Sequence, residues 1–552
     1  MRVRYIGLSI LLLFTISIAA QDDLYSLPGA NERVYTSGSM VFSSDGRVLA
    51  AVNMLNDSVS VVTLNNREVQ AEIAVGRFPN SLSFTPDGTR LLVVNRVDGT
   101  LAVISMADYS VIAVYPVGAL PYAVVTNDDN SAYISSQGTD EIIHIDINRG
   151  QLLERIATPD SPVGMALWGD FLYVSHLWSG EVSLIHLPQK AVVHSSDTGS
   201  DVSFSPSLLI DASNGLAYLP QSHSNIQNTT PTFDTRIFPV INVLDLGNMT
   251  VQPQSRISLD IADRPVNMPF AVDIDTYRKW LYVVNAGSND LSIIDLNSRL
   301  ALAHIDVGPN PRSIRLNWDN TFLYVHNALG SSISVVDTRR LSVIDEIPIS
   351  TWDGPLDHLI GARLFYTSAD SRMSQDNWLS CASCHFDGQS DGRVWSGFSG
   401  DSRNTPLLFG DTSATIDMNQ HLRTLQAGEG FPADSLDMDM LLTYLQSIDT
   451  PLAPTPFDES LIAQGEVLFT ELGCDSCHSS TGLTDGLAHD VGTGGVFNTP
   501  SLNWLWLSAP YFHDGTAETL YDVFVMPGTH QIITLTSPEN TDALIAYLFN
   551  LP

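Results

Sequence analysis

The residues best suited to chemistry are two Cys-x-x-Cys-His motifs, Cys381-Ala-Ser-Cys384-His385 and Cys474-Asp-Ser-Cys477-His478. Two thiols at this spacing add to the vinyl groups of a porphyrin, and the adjoining histidine reaches the iron as proximal ligand. These are all the cysteines of the chain, so none remains for a disulfide. A zinc knuckle and two redox dithiols are the alternatives, although zinc would normally gather both pairs around one ion. The motifs therefore predict two covalently bound haems c, named haem 1 and haem 2 in chain order.

Helices are expected around both motifs. The pattern predicts one helix at Leu356–Tyr366, before the first motif, and another at Glu459–Leu472, before the second. Asp439–Ile448 aligns without gaps on Asp542–Leu551, and each has the apolar spacing of an amphipathic helix with one inner tyrosine. Ser537-Pro538 is a good N-cap with proline at the first helical turn. We therefore predict two mainly α cytochrome c-like domains, at residues 355–450 and 457–552.

An internal repeat precedes these domains, at residues 25–350. One strand pattern recurs in five clear copies: Leu91-Leu-Val-Val-Asn95, Ala132-Tyr-Ile-Ser-Ser136, Leu172-Tyr-Val-Ser-His176, Leu281-Tyr-Val-Val-Asn285 and Leu323-Tyr-Val-His-Asn327. Four successive end residues lie 42, 41 and 40 positions apart: Asn53, Asn95, Ser136 and His176. This period, with Gly and Asp turns, predicts four-stranded blades that close into a ring. With the further copy that ends at Asn53 and an irregular copy at Ala217–Gln221, the count of seven predicts an all-β seven-bladed propeller.

The repeat resembles the Tyr-Val-Thr-Asn family of seven-bladed propellers, which implies a fold and no particular function. From Gln221 to Asn285 the interval lengthens to 64 residues, and the added segment, residues 223–240, is polar. It is either a surface loop or a lip that reaches toward the cytochrome part. Isolated histidines of the propeller are expected to be structural: His176, His223 and His326.

The N-terminus has the pattern of a secretory signal peptide at residues 1–20. Arg2 and Arg4 precede an apolar run at residues 6–18, which small residues and then polar residues follow. Cleavage after Ala20 would export the chain, in agreement with the motifs, because bacteria attach haem c after export. An uncleaved anchor is the alternative, but the run is short for a membrane span. We expect a periplasmic or extracellular protein without stable membrane insertion.

The charge balance limits the partners. The chain has 61 acidic and 26 basic residues and a formal net charge of −35. Such a chain repels nucleic acid phosphates and anionic membranes, so no nucleic acid partner is expected. It would attract a positively charged redox partner such as a small basic cytochrome. Solubility in a saline or extracellular setting is the alternative explanation of the charge.

The segments around and after the motifs form a distinctive set: Ser380-Cys-Ala-Ser-Cys-His-Phe-Asp-Gly388, Asp391-Gly-Arg-Val-Trp395, Arg403-Asn-Thr-Pro-Leu407, Phe497-Asn-Thr-Pro-Ser-Leu502 and Ala509-Pro-Tyr-Phe-His-Asp-Gly-Thr-Ala-Glu-Thr-Leu520. The set resembles the di-haem cytochrome c peroxidase and MauG group over residues 355–552. The resemblance implies that one haem works at peroxide while the other relays electrons. MauG-type members instead store two oxidising equivalents across both haems and oxidise another protein's side chains. A calcium ion between the haem domains is common in the group, although no ligand set here identifies one.

The sixth ligand of haem 1 is left open by a departure from this group. The peroxidases supply a distal histidine between the first motif and the Arg403 segment, and residues 386–402 contain none. Haem 1 is therefore either open, as a reactive site would be, or closed by Met418 or His421 as a six-coordinate electron carrier. An open ferric haem binds peroxide, whereas a six-coordinate haem passes electrons.

For haem 2, two residues are candidate sixth ligands. Met526 lies near the position where the peroxidases place a methionine, and His530 is the alternative. The resemblance also places His513 beside haem 2, where it would bond a propionate or position a loop.

The leading hypothesis is an exported di-haem c-type cytochrome on a propeller, which transfers electrons and, if haem 1 is open, carries out a peroxidase- or MauG-like oxidation. The first alternative is a pure electron relay in which both irons are six-coordinate. The second is a binding module built on the propeller, with the haems as a redox accessory.

Overall fold

The computed structural model describes residues 27–229, 236–259, 264–374, 377–398, 401–408, 435–454, 458–479, 482–532 and 537–551. The predicted signal peptide, residues 1–20, lies outside the described residues. Among the helices of the described part, none combines the length and apolar character needed to cross a membrane.

Seven antiparallel sheets form the predicted propeller, which is confirmed. Most blades are four consecutive strands joined as hairpins, and β1 (Val34–Thr36) adds to the inner strand of blade 4. The strands are, for blade 1, β2 (Met40–Phe42), β3 (Val48–Asn53), β4 (Ser58–Thr63) and β5 (Glu68–Ala74); for blade 2, β6 (Pro79–Phe84), β7 (Arg90–Asn95), β8 (Thr100–Ser105) and β9 (Ser110–Pro116); for blade 3, β10 (Pro121–Val125), β11 (Ser131–Ser136), β12 (Glu141–Asp146) and β13 (Gln151–Ala157); for blade 4, β14 (Pro162–Trp168), β15 (Phe171–His176), β16 (Val182–His186) and β17 (Ala191–Ser196); for blade 5, β18 (Val202–Phe204), β19 (Leu209–Asp211), β20 (Leu216–Ser224), β21 (Ile237–Asp245), β22 (Thr250–Val251) and β23 (Ile257–Ser258); for blade 6, β24 (Pro269–Asp275), β25 (Trp280–Asn285), β26 (Asp290–Asp295) and β27 (Leu300–Asp306); and for blade 7, β28 (Pro311–Leu316), β29 (Phe322–Asn327), β30 (Ser332–Asp337) and β31 (Ser342–Pro348).

The repeated polar residue at the end of each second strand has a local role. In blade 1 the Asn53 side-chain amide donates to the hydroxyls of Ser58 and Ser60, both at 2.9 Å, and so fixes the next turn. In blade 4 the His176 Nε2 makes the equivalent bond to the Ser183 hydroxyl, at 2.9 Å. Because these side chains are buried, each needs such a partner. The polar residue that ends the repeat motif therefore stabilises the turn that follows it.

His326 and His223, the other two histidines singled out in the propeller, also have partners within it. His326 Nδ1 lies 2.8 Å from the Ser39 hydroxyl, and both residues are buried. His223 lies 2.9 Å from Asp201 and 3.0 Å from the Asn242 amide. The expectation that the propeller histidines serve the fold is confirmed.

The C-terminal part contains two helical modules with similar elements. Their described helices are α1 (Leu356–Tyr366), α2 (Ser435–Ser447), α3 (Glu459–Glu471), α4 (Leu520–Val525) and α5 (Pro538–Phe549). Their hairpins are β32 (Val394–Phe398) with β33 (Asp401–Asn404) and β34 (Ala488–Asp490) with β35 (Val496–Asn498). The first module comprises α1, α2, β32 and β33. The second module comprises α3, α4, α5, β34 and β35. The predicted helices are confirmed, and the Ser537 side chain caps α5 by accepting from Asn540 N.

Each module is built on the same crossing of two helices. A Cβ on Gly361 of α1 would lie 2.0 Å from the Met440 carbonyl oxygen of α2. A Cβ on Gly465 of α3 would lie equally close, at 2.0 Å, to the Ala543 carbonyl oxygen of α5. Only glycine permits this approach, because any side chain would overlap the facing backbone.

The ring contacts at the two crossings also match. Phe365 and Tyr444 have ring centroids 5.3 Å apart in the first module, and Phe469 and Tyr547 lie 5.4 Å apart in the second. The gap-free alignment of the two C-terminal helices therefore reflects equivalent positions in space.

Replacement of Gly465 by alanine should destabilise the second module. Alanine ordinarily stabilises a helix interior by about 0.5–1 kcal/mol relative to glycine. Here the added methyl group would force the two helices apart, and overpacking of this kind costs about 1–3 kcal/mol. Denaturant unfolding followed by helical circular dichroism should show a lower midpoint for Gly465→Ala.

The control is Ala463→Gly on the exposed side of the same helix, which measures the helix-propensity effect alone. If Gly465→Ala unfolds at a higher denaturant concentration than the parent protein, the close helix crossing does not restrict position 465 to glycine.

Candidate haem-binding site

The two Cys-x-x-Cys-His motifs have the same backbone fold. Each forms a single 3₁₀ turn, at Cys381–Ser383 and at Cys474–Ser476. The histidine N–H then donates to the first cysteine's carbonyl oxygen, at 2.9 Å for His385 and 3.0 Å for His478. The turn places both thiols and the imidazole on one side of the chain, as covalent attachment of one porphyrin requires.

Both motifs line one cavity of about 940 Å³. Its apolar wall comes from equivalent leucines of the two C-terminal helices, and its rim from the two Asn-Thr-Pro segments. These residues are Leu441 and Leu445 with Leu544 and Leu548, and Asn404-Thr405-Pro406 with Asn498-Thr499-Pro500. A large, mostly apolar cavity with few polar groups suits a planar, apolar cofactor.

The thiols fit covalent attachment better than metal binding. None of the four cysteines is in a disulfide. Burial raises the pKa of the Cys381 thiol to about 12 and also raises the pKa of Cys474, so the thiolate that zinc or a redox site needs is disfavoured. Of the described residues, one group of three is close enough to hold a metal ion, and Cys477 with Asp485 and His489 is that group. The two cysteine pairs therefore do not converge on one ion.

The two motifs differ in their exposure. Ala382, Ser383 and His385 of the first motif are buried. In the second motif, Asp475 and Ser476 are exposed and His478 is half-buried, while the cysteines are half-buried in both motifs. The difference arises because the first module lies on the propeller.

The residues after the first motif lie over the centre of the propeller ring. The Phe386 ring lies 5.1 Å from the ring of Phe204 in blade 5 and 5.8 Å from that of Phe270 in blade 6. The Arg312 guanidinium, from the first residues of β28 in blade 7, lies 4.9 Å from the Phe386 ring centroid. Phe386 is fully buried, so three blades hold the segment that carries His385.

Asp387 forms a buried ionic clasp with the propeller. One carboxylate oxygen accepts from Arg96 Nη1 at 2.5 Å. The other accepts from Arg312 Nη2 at 2.9 Å and from the Tyr366 hydroxyl at 2.6 Å. Burial by itself raises the pKa of Asp387, but the two guanidinium groups and the tyrosine outweigh it, so the pKa lies below its ordinary value. The carboxylate is therefore charged and fully paired.

Further hydrogen bonds surround the clasp. The Asn267 amide of the propeller donates to the Trp378 carbonyl at 2.9 Å and to the Ser383 hydroxyl at 3.1 Å. The Gln137 amide donates to the Gln389 side chain at 2.8 Å. The propeller thus contacts the first motif on both sides of His385.

The described residues of the insertion in blade 5 contact the first module, as the lip alternative predicts. Strands β20 and β21 extend it toward the first module, where Ser396 N donates to the Ile226 carbonyl at 2.9 Å. Arg236 Nη2 donates to the Ser396 carbonyl at 2.6 Å. Ile237 packs with Trp378 and Trp395 beside the cavity.

His513 lies where the two modules meet at the cavity. Its ring stacks on Phe497 at 3.8 Å, and the Arg403 guanidinium of the first module lies 5.2 Å from the Phe497 centroid. The His513 carbonyl accepts from Asn404 N at 2.8 Å. Its Nδ1 is buried and has no hydrogen-bond partner among the described residues, which suits a bond to a cofactor propionate.

The structure separates the candidate sixth ligands. Met418 and His421 lie outside the described residues. His530 lines the cavity, whereas Met526 packs in the apolar cluster around Phe524 and Leu544. The clasp arginines Arg96 and Arg312 were not identified from the sequence, since a single arginine at a blade end has no distinguishing pattern.

Comparison with known proteins agrees with these features. No protein-family model matches the chain. The chain is 27% identical over 236 residues to methylamine utilization protein MauG from Methylophilus methylotrophus, covering 30% of this chain and 70% of that protein. Hydrazine synthase from Kuenenia stuttgartiensis matches in structure with a TM-score of 0.50 and 19% identity, over 57% of this chain and 97% of that chain. The dihydro-haem d1 dehydrogenase NirN gives a TM-score of 0.40 and 19% identity, over 58% of this chain and 67% of that chain.

The chain is a seven-bladed β-propeller fused to a MauG-like cytochrome. The similarity to MauG agrees with the resemblance that the motifs of the C-terminal part show. The hydrazine synthase match, at 19% identity, supports the fold alone. The MauG-like part and the propeller share one interface, and the first haem motif lies within it. The function is accordingly of cytochrome type.

Removal of the clasp charge should destabilise the MauG-like protein strongly. Asp387→Asn leaves Arg96 and Arg312 buried without a counter-ion, and loss of one partner of a buried pair costs about 3–5 kcal/mol. Because the folded-state pKa of Asp387 is lowered, the clasp is intact above the ordinary pKa of 3.8 and is lost only as the pH falls through the lowered value. Denaturant unfolding at pH 7 should show the loss.

The control is Asp98→Asn, which removes a partly exposed pair with Arg77 and should cost about 0–1 kcal/mol. Equal effects of the two substitutions would mean that the clasp does not hold the modules together.

Proposed function

We propose that the protein is an exported di-haem c-type cytochrome that passes electrons between a cationic redox partner and a haem held against the propeller. The observation that carries the proposal is the single cavity of about 940 Å³ lined by both motifs. Bound haem supplies a one-electron carrier whose potential depends on ligands and burial. The proposed attachments and proximal ligands are Cys381, Cys384 and His385 for haem 1 and Cys474, Cys477 and His478 for haem 2.

The chain's own residues prepare this site. His478 Nδ1 donates to the Leu483 carbonyl at 3.0 Å, which fixes the ring and leaves Nε2 for the iron. Burial lowers the pKa of His478, so the imidazole stays neutral, which is the form that binds metal. The leucines of α2 and α5 line the cavity with apolar side chains, which would favour an apolar cofactor over water there.

Electrons would enter and leave at haem 2, because Asp475 and Ser476 of its motif are exposed, whereas Ala382 and Ser383 at the equivalent positions of the first motif are buried. Residues 451–552 contain twelve Asp and Glu and no Lys or Arg. Glu471 and Asp475 are exposed at the second motif. A field of one sign around an exposed cofactor edge steers an oppositely charged partner toward it.

This surface also has an apolar centre. The hairpin of β34 and β35 lies beside the second motif, since Asp485 and His489 have ligand atoms within 4.8 Å of the Cys477 sulfur. Leu487 and Val496 on this hairpin are exposed, by 60% and 66%. An apolar patch with a charged rim suits a transient redox complex.

A MauG-like oxidation at haem 1 is the second candidate function, and the MauG relative is the observation that favours it. Haem 1 would be the reactive haem, because Ala382, Ser383 and His385 of its motif are buried. Low-temperature EPR of the ferric protein decides between the functions. A high-spin haem 1 supports oxidation. Two low-spin haems, also after addition of one electron, support the relay.

The haem assignments predict how substitutions of the cysteines and histidines change the haem content and the spectra. The parent protein, matured with the c-type machinery, should carry two haems by mass, and Cys474→Ala with Cys477→Ala should carry one. His385→Gly and His478→Gly should each change the absorption and EPR spectrum of one haem without loss of covalent haem, because the thioethers remain. Added imidazole should restore the parent spectrum.

His489→Gly is the matched control, since this histidine lines the cavity but bonds to Asp485 at 2.7 Å. Spectra of both ligand variants that equal the parent's would contradict the assignments.

The partner proposal predicts a charge effect on rate. Glu471→Lys with Asp475→Lys should slow electron exchange with a basic c-type cytochrome by roughly tenfold at low ionic strength, because steering is weakened. Stopped-flow mixing should show that the difference disappears at high salt. Asp108→Lys, an exposed site in the propeller, should leave the rate unchanged; a similar loss there would assign the effect to net charge alone.

A further inference from the structure

The second motif faces another histidine across the cavity. The ring centroids of His478 and His530 lie 6.4 Å apart, with the ring planes inclined by 49°. Both residues line the cavity. A metal–imidazole bond is about 2.0–2.1 Å long and the ring centre lies about 1 Å behind the nitrogen, so two imidazoles on one metal have centroids roughly 6 Å apart. The observed spacing matches that of two histidines on opposite sides of one iron.

The environment of His530 suits a ligand. Its Nδ1 is buried and has no hydrogen-bond partner among the described residues. A buried imidazole nitrogen without a partner costs free energy, and coordination would remove that cost. Phe512 packs on the ring at 5.9 Å between centroids and limits its rotation.

The loop that carries His530 is held by backbone hydrogen bonds on both sides. Thr529 N donates to the Val491 carbonyl at 3.1 Å, and Ile532 N donates to the Phe524 carbonyl at 3.1 Å. Gln531 N closes the turn on the Gly528 carbonyl at 3.2 Å. The position of His530 is therefore built into the module.

Met526, the methionine expected from the resemblance, is placed differently. It directly follows α4, and its N–H donates to the Asp522 carbonyl at 3.0 Å. Its side chain packs in the apolar cluster and takes no part in the cavity wall. Of the two candidates, only His530 faces His478.

We propose that His530 is the sixth ligand of haem 2, so that two histidines hold this iron. The inference rests on the proposed function, because it requires haem on Cys474 and Cys477. Two imidazoles make the haem six-coordinate and low-spin, and they give it a lower potential than histidine with methionine would. Haem 2 would then be an electron carrier that does not bind peroxide, in agreement with the exposed Asp475 and Ser476 of its motif.

The test uses the mature holoprotein and low-temperature EPR with redox titration. The low-spin signal of haem 2 is identified by its loss in Cys474→Ala with Cys477→Ala. His530→Gly should convert that signal to high-spin while the covalent haem content stays at two, and added imidazole should restore it. His530→Met should raise the potential of haem 2, because thioether ligation favours the ferrous state.

Met526→Leu is the control, since it removes the thioether and conserves volume, and it should leave the spectrum and the potential unchanged. If Met526→Leu gives the high-spin signal and His530→Gly does not, methionine is the ligand and the inference is overturned. It is also overturned if His530→Gly keeps the parent signal. Absence of haem from the second motif of the parent, seen by peptide mass, would instead refute the proposed function itself.

Discussion

The buried clasp of Asp387 with Arg96 and Arg312 is the interaction on which the arrangement of this protein depends. The aspartate stands two residues after His385, so the segment that would hold haem 1 is fixed to the propeller by charge. Two buried guanidinium groups are costly without a counter-ion, and a buried carboxylate is equally costly without them. Each part of the chain therefore completes the other. Arg236 and Ile237 of the propeller line the cavity beside the first motif, so the propeller contributes to the candidate site as well as to the fold.

The two cytochrome modules share one design and differ in their surroundings. In both, a glycine allows two helices to meet closely, and equivalent leucines line the cavity. The propeller then covers Ala382, Ser383 and His385 of the first motif, while Asp475 and Ser476 of the second motif stay exposed. A haem under a protein wall and a haem at a surface suit different tasks, since burial controls access and potential. The proposed division between a sheltered haem 1 and an exchanging haem 2 follows from this asymmetry.

The distribution of charge also distinguishes the second module from the interface with the propeller. After Arg423 the chain contains no lysine or arginine, so the second module lies in a uniformly negative field. The arginines of the interface belong mainly to the propeller, where the acidic clasp residue meets them. Electrostatics therefore holds the first module to the propeller, and under the proposed function it would steer a cationic partner to the second module.

Much of this protein was readable from its sequence, because the relevant features are local. The Cys-x-x-Cys-His spacing, the repeat of about 40 residues and the helices around the motifs each depend on neighbours in the chain. Only the tertiary structure decided which distant residues meet. Arg96 and Asp387 are 291 positions apart, and nothing near either residue indicates the other. The same holds for the choice between Met526 and His530, which lie four positions apart but on different sides of a loop. Which of them faces the cavity is set by the packing of α4 and by bonds to Val491 and Phe524, and the residue types alone do not encode that direction.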